Sequence, residues 1–239
     1  MIKNFNVNIL EKESNKLTLS NYLKLKVKQN ISQELLIKMK KRLEFNYNLN
    51  MKYFDSLDYS EFAEYVNNFM KRNKFVSVSD LTKYKGIPGI YIMIFDEYKQ
   101  AYIGLSEHGI KERIQQHWNE KKEAERLIFG QVFNLILSVD SFGALDNTRI
   151  FVKTGCNLYK NEERLVYNFD KRFLLNRTAG GIGNIDTYTD GKIYSQVAIV
   201  SEMKVRDFTP FIDEKKLYDQ CSEYDIMMYE SIYKRKDIE

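Results

Sequence analysis

The stretch whose reading decides the fold is Gly89-Ile90-Tyr91-Ile92-Met93-Ile94-Phe95, followed by Asp96-Glu97-Tyr98-Lys99-Gln100 and then Ala101-Tyr102-Ile103-Gly104-Leu105. The outer runs are short, apolar and rich in β-branched and aromatic residues, and the polar segment between them has the length of a hairpin loop. Two antiparallel strands are expected. The first run is apolar at odd and even positions alike, which places it centrally in a sheet covered on both faces. Tyr91 and Tyr102 stand one on each strand, and the hairpin register decides whether they line the same surface.

Working outward, Pro88 forbids continuing a helix into the first run, and the polar stretch from Asp80 to Gly86 marks a boundary before it. Upstream, Leu35, Leu36, Met39 and Leu43 recur at helical spacing between Ser32, a candidate N-cap, and Phe45. A second helix is expected over 58–71 through Tyr59, Phe62, Val66 and Phe69. Downstream, helical spacing runs over 109–129, strands are expected at 132–139 and 149–154, and a helix opens near Asn161 with Leu165, Val166, Phe169 and Phe173 inward. The glycine-rich 178–184 suits no regular element, and a strand near 193–200 and a helix over 213–234 complete the chain.

Composition narrows the function classes. The chain has 239 residues, 44% hydrophobic, with 37 Lys+Arg against 33 Asp+Glu, which is globular rather than disordered. It has no apolar run of membrane-spanning length and no secretory leader at its start, so a cytoplasmic location is expected. With only two cysteines, Cys156 and Cys221, and two histidines, His108 and His117, a Cys/His zinc site is almost excluded, so any metal is expected to be hard and held by oxygen. The net charge of +4 hides an asymmetry: residues 1–76 carry 14 basic and 8 acidic side chains, the remainder 23 and 25. The basic excess is densest at Lys38, Lys40, Lys41 and Arg42 on the first expected helix. Such a run is either a solvated helix face or a footprint for phosphate backbone.

Three features bear on chemistry. Besides the tyrosine pair, Arg113 and His117 lie four apart and so on one helix face, a combination suited to a phosphate. Glu162 precedes Leu165, Val166, Phe169 and Phe173 at spacings that put it on the buried stripe, where a carboxylate is costly unless compensated. Glu163 also precedes the helix core but lacks that spacing. Each feature has an ordinary reading alone: packing tyrosines, a solvated pair, an acidic residue meeting a helix dipole.

Together, in this order, they resemble the GIY-YIG nucleases. The two-part signature is Gly89-Ile90-Tyr91 and Tyr102-Ile103-Gly104; Arg113, His117, Glu162 and Asn176 follow at matching places, and the likeness spans about residues 86–178. The resemblance implies an α+β fold with a small antiparallel or mixed three-stranded sheet flanked by helices, here with a helical N-terminal extension and a C-terminal strand-helix extension. The implied regions are a basic helical front (1–80), a nuclease domain (81–184) and a C-terminal extension (185–239). The implied activity is metal-dependent DNA hydrolysis, of a restriction, phage or mobile-element type. Glu162 would bind Mg²⁺ or Mn²⁺, Arg113 would oppose phosphate charge, and Tyr91 would be the general base. Tyr102 and His117 would position water and Tyr91, and Asn176 would orient Glu162 or a phosphate. Lys38, Lys40, Lys41 and Arg42 would contact DNA, and a homodimer would supply two active sites for double-strand cleavage. The competing class is a noncatalytic nucleic-acid-binding module with the same fold.

Overall fold

The computed structural model describes residues 2–11, 16–24, 33–119, 136–155, 157–176 and 206–220. In chain order these form β1 (Ile2–Asn4), β2 (Val7–Ile9), α1 (Leu19–Tyr22), α2 (Gln33–Ser56), α3 (Tyr59–Asn73), β3 (Val76–Val78), β4 (Gly89–Phe95), β5 (Gln100–Ser106), α4 (Ile110–Asn119), β6 (Thr148–Thr154), α5 (Leu158–Asn168) and α6 (Glu214–Gln220). The class is α+β. None of the described helices is long and apolar enough to cross a membrane.

The main sheet is fully antiparallel in the order β3-β6-β4-β5. It has four strands where three were expected, because β3, from the region before residue 80, pairs with β6 through Val76 opposite Val152. Packing is continuous across the expected boundary at residue 80. Phe62, Val66 and Phe69 of α3 share a core with Leu165 and Val166 of α5. The parallel element is a single bridge between Ala101 and Leu174, on the free side of β5.

Every residue of β4 is buried, as the two-sided apolar run requires. Side chains alternate across a strand, so its residues divide by parity. Ile90, Ile92 and Ile94 pack with Ile103, α3 and α5. Tyr91, Met93 and Phe95 pack with Ile150, Val152 and the Ile110, Ile114 and Trp118 face of α4. The β1–β2 hairpin braces α4 from outside: Gln115 Nε2 donates to the Asn8 carbonyl at 2.6 Å, and the Phe5 and Trp118 rings lie 6.1 Å apart.

Several expected bounds shift for local reasons. The first helix runs on to Ser56 through the asparagine-rich 46–50, because Asn50 Nδ2 donates to the Asn46 carbonyl at 2.8 Å and Leu49, Tyr53 and Phe54 face the core. Ser32 lies outside the described residues. The helix expected near Asn161 starts a turn earlier, after Asn157 in the left-handed conformation (φ 56°), and ends before Phe169, which stays buried in an extended residue. The strand expected at 132–139 is absent from its described part: Ile136–Ser138 are irregular, and Val139–Ser141 form a 3₁₀ turn closed by Ser141 N donating to the Ser138 carbonyl at 2.8 Å. The helices expected over 109–129 and 213–234 are described over Ile110–Asn119 and Glu214–Gln220. The remainder of both, the glycine-rich 178–184, the strand at 193–200, Cys156 and Cys221 lie outside the described residues.

Candidate active site

The hairpin register sets Tyr91 opposite Gly104 and Met93 opposite Tyr102. Both tyrosines therefore lie on the same face, offset diagonally by one pair, with ring centroids 6.2 Å apart. Gly104 makes room for them. A Cβ there would fall 2.5 Å from the Tyr91 Cζ and hydroxyl and 2.9 Å from the Tyr102 ring. The second glycine of the signature thus leaves the space across which the Tyr91 ring lies.

α4 brings the next two residues to this face. Its first turn is fixed by Ile110 N donating to the Ile87 carbonyl at 3.0 Å and Gly86 N donating to Glu112 Oε2 at 3.2 Å. With the helix anchored beside the start of β4, His117 is buried, and its Nε2 is 2.7 Å from the Tyr91 hydroxyl. The Tyr102 ring meets the imidazole nearly edge-on, with centroids 5.5 Å apart and planes at 75°. Arg113, one turn earlier, is half-buried, donates through Nη1 to Gln116 Oε1 and acts on Tyr91 through its charge.

The other side of the imidazole faces a residue that sequence spacing did not single out as a site residue. His117 Nδ1 is 2.5 Å from Asp140 Oδ1, and Asp140 sits in the 3₁₀ turn Val139–Ser141. It lies 23 positions from His117. No periodic pattern links a helix face to a turn so far along the chain. Its only sequence signal was an acidic residue in a turn-prone stretch.

Glu162 is 6% exposed on α5, while Glu163 points to solvent, so Glu162 is the inward carboxylate of the two. Its charge reaches both tyrosine hydroxyls. Burial pushes Tyr91 well above the ordinary phenol value, and Tyr102, Glu162 and Asp140 push the same way against Arg113. Tyr102 is likewise raised, by burial and then by Asp140 and Glu162. Burial works against the Arg113 charge, but Tyr91, Tyr102 and Asp140 outweigh it and raise its pKa. The site therefore keeps both phenols protonated and the guanidinium charged.

The remaining expected residues are placed differently. Asn176 Oδ1 accepts from Ile103 N at 2.9 Å and Nδ2 donates to the Ile103 carbonyl at 2.6 Å. Leu175 N donates to the Ala101 carbonyl at 2.8 Å, so 174–176 extends the pairing on the free edge of β5. Asn176 holds the strand that carries Tyr102, and its amide is committed to backbone rather than turned toward Glu162. Lys38, Lys40 and Lys41 are exposed on α2 and Arg42 is half-buried beside them. Lys38 pairs with Glu34 at 2.9 Å, and Lys41 borders a hollow shared with Glu44, Lys52, Asp213 and Lys216, where the charges are of mixed sign.

Among the described residues no group of three or more His, Cys, Asp or Glu side chains is placed to hold a metal ion. A hard divalent cation such as Mg²⁺ is commonly held by one or two carboxylates while water and phosphate oxygens complete its shell. Such an ion would take Glu162, the inward carboxylate of the Glu162–Glu163 pair, as its protein ligand.

Comparison with the known protein families, with curated proteins and with solved structures finds no match for this chain.

Proposed function

We propose that the chain is a metal-dependent DNA endonuclease of the GIY-YIG kind, hydrolysing phosphodiester bonds as a sequence-specific restriction-type or phage or mobile-element enzyme. The observation that supports the reading best is the meeting of Tyr91, Tyr102, Arg113 and His117 in one electrostatic neighbourhood with Glu162. Strands and helices from distant parts of the chain supply them. A core built for stability alone has no use for a buried histidine, a buried glutamate and an arginine around one phenol.

Phosphodiester hydrolysis needs a water relieved of a proton, countercharge for the phosphoryl oxygens and help for the departing oxygen. Arg113, held charged, places a fixed cation against the phosphate. Tyr91 contacts the attacking water, and Tyr102 shares in orienting it. Burial holds the Tyr91 proton tightly, and His117 Nε2, 2.7 Å from the hydroxyl, is placed to take it as the water proton arrives. Glu162 would hold a Mg²⁺ or Mn²⁺ ion, whose charge would stabilise the phosphoryl and leaving oxygens. Lys38, Lys40, Lys41 and Arg42 serve as a DNA grip outside the cleavage centre, and a transient homodimer of one-site chains accounts for double-strand cutting.

The deciding experiment incubates the purified protein with plasmid and phage DNA, with and without Mg²⁺, beside Glu162→Ala and Glu163→Ala. Mg²⁺-dependent cutting lost only in Glu162→Ala is expected. Discrete fragments mean site-specific cleavage and a smear means nonspecific cleavage. Binding without cutting on every substrate returns the chain to the noncatalytic class.

A further inference from the structure

Resting on the nuclease reading above, we propose that Asp140 is a positioning residue for the reaction: it holds His117 in the tautomer that takes the Tyr91 proton. Three groups stand in line. The Tyr91 hydroxyl is 2.7 Å from His117 Nε2, and His117 Nδ1 is 2.5 Å from Asp140 Oδ1. An ionised carboxylate only accepts hydrogen bonds, so Nδ1 must carry the proton on that side. A neutral imidazole protonated at Nδ1 has Nε2 as its acceptor, so Tyr91 donates to it. The tautomer follows from the chemistry of the two partners.

The line is built rather than incidental. The His117 side chain is 6% exposed and that of Asp140 17%, so neither is left to solvent. The turn carrying Asp140 is anchored by buried Val139 and Ser141, with Phe142 N donating to the Val139 carbonyl at 3.1 Å. Around the imidazole, Tyr102 closes one side and Arg113 stands one helical turn away. Removing the Asp140 charge would free the ring to exchange tautomers, and the Nε2–H form cannot accept from Tyr91.

In the step itself, the water oxygen bonds to phosphorus as the bond from phosphorus to the departing oxygen breaks. One water proton passes to the Tyr91 oxygen while the Tyr91 proton passes to His117 Nε2. The resulting imidazolium faces the Asp140 carboxylate and later releases its proton to solvent. The departing oxygen takes its proton from solvent water. A partly buried carboxylate, a buried imidazole and a buried hydroxyl in this order let Tyr91 take the water proton as its own passes to His117, without a free phenolate.

The test uses the full chain and two readouts. The chain has two histidines, and His108 is exposed, so the ¹⁵N signals of His117 are readily assigned. The wild-type spectrum should show the Nδ1–H tautomer at His117; an Nε2–H tautomer overturns the inference with no variant needed. Asp140→Asn should convert or mix the tautomers and lower kcat on DNA by about 10²–10⁴-fold with KM unchanged, by analogy with loss of the orienting carboxylate in a hydrolase triad. If the wild type cuts and Asp140→Asn cuts at the same rate, this inference falls and the nuclease reading stands. A wild type that cuts no DNA removes the nuclease reading, and the catalytic use of Asp140 with it.

Discussion

The two faces of the central sheet differ more than their shared strand suggests. On one, Ile90, Ile92 and Ile94 meet Phe62, Phe69, Leu165 and Phe169 in an almost wholly apolar layer. On the other, Tyr91 points into a mixed environment that includes Tyr102, Arg113, His117 and Asp140. Neighbours in sequence thus serve opposite ends, because a strand turns successive side chains to opposite sides. A site built this way inherits the rigidity of the layer beneath it, which favours catalytic geometry.

The contrast can be broken first at the apolar layer. Phe69 is 1% exposed, with its ring 4.7 Å from that of Phe169. Phe69→Ala should cost about 3–5 kcal/mol of folding stability. Denaturant titration measures the loss, and cleavage per folded molecule should be preserved; a variant that is stable but inactive would blur the division between the faces.

A smaller effect is expected at Gly104, where the faces are joined through the backbone. An added Cβ would press on Tyr91, whose hydroxyl is pinned by His117, so the ring cannot simply swing away. Gly104→Ala should lose about 1–3 kcal/mol and most of the cleavage activity. Unchanged cleavage in this variant would mean that the placement of the Tyr91 ring is unimportant.

Alkaline titration sharpens the comparison from the polar side. The folded state holds the Tyr91 proton more tightly than the unfolded chain, in which a phenol titrates near ~10. The associated stability is fully present below that pH and is lost as pH rises toward the folded value. Unfolding free energies at pH 9, 10 and 11 should therefore fall less steeply for Tyr91→Phe than for the wild type. Parallel curves would contradict the burial of the Tyr91 hydroxyl.

The least effect on folding belongs to the front helix. Replacing Lys38, Lys40, Lys41 and Arg42 by glutamine should change stability by under about 0.5 kcal/mol, since the pair of Lys38 with Glu34 is exposed and such pairs contribute little. If these side chains bind DNA phosphates, the slope of log affinity against log salt should drop by about 0.9 for each phosphate no longer neutralised. An unchanged slope assigns them to plain surface.

What was legible in the sequence was local. The hairpin, the covered central strand, the shared helix face of Arg113 and His117 and the inward turn of Glu162 all follow from spacing within single elements. What was not legible depends on pairing between distant segments. Asp140 reaches His117 from a turn that has no periodicity, β3 joins the sheet through β6, and Asn176 spends its amide on the Ile103 backbone. The asparagines expected to follow the first helix are accommodated inside it by a bond one turn back and by the core beside them.

The most direct measurement compares two adjacent residues on opposite faces, Tyr91→Phe and Ile92→Ala, for DNA cleavage at matched folded fraction. Ile92→Ala should lose about 2–5 kcal/mol of stability yet cut at the wild-type rate per folded molecule. Tyr91→Phe removes only the hydroxyl bonded to His117, costs about 1–3 kcal/mol, and should abolish cleavage while remaining folded. A folded Tyr91→Phe protein that cuts DNA as the wild type does would contradict the account.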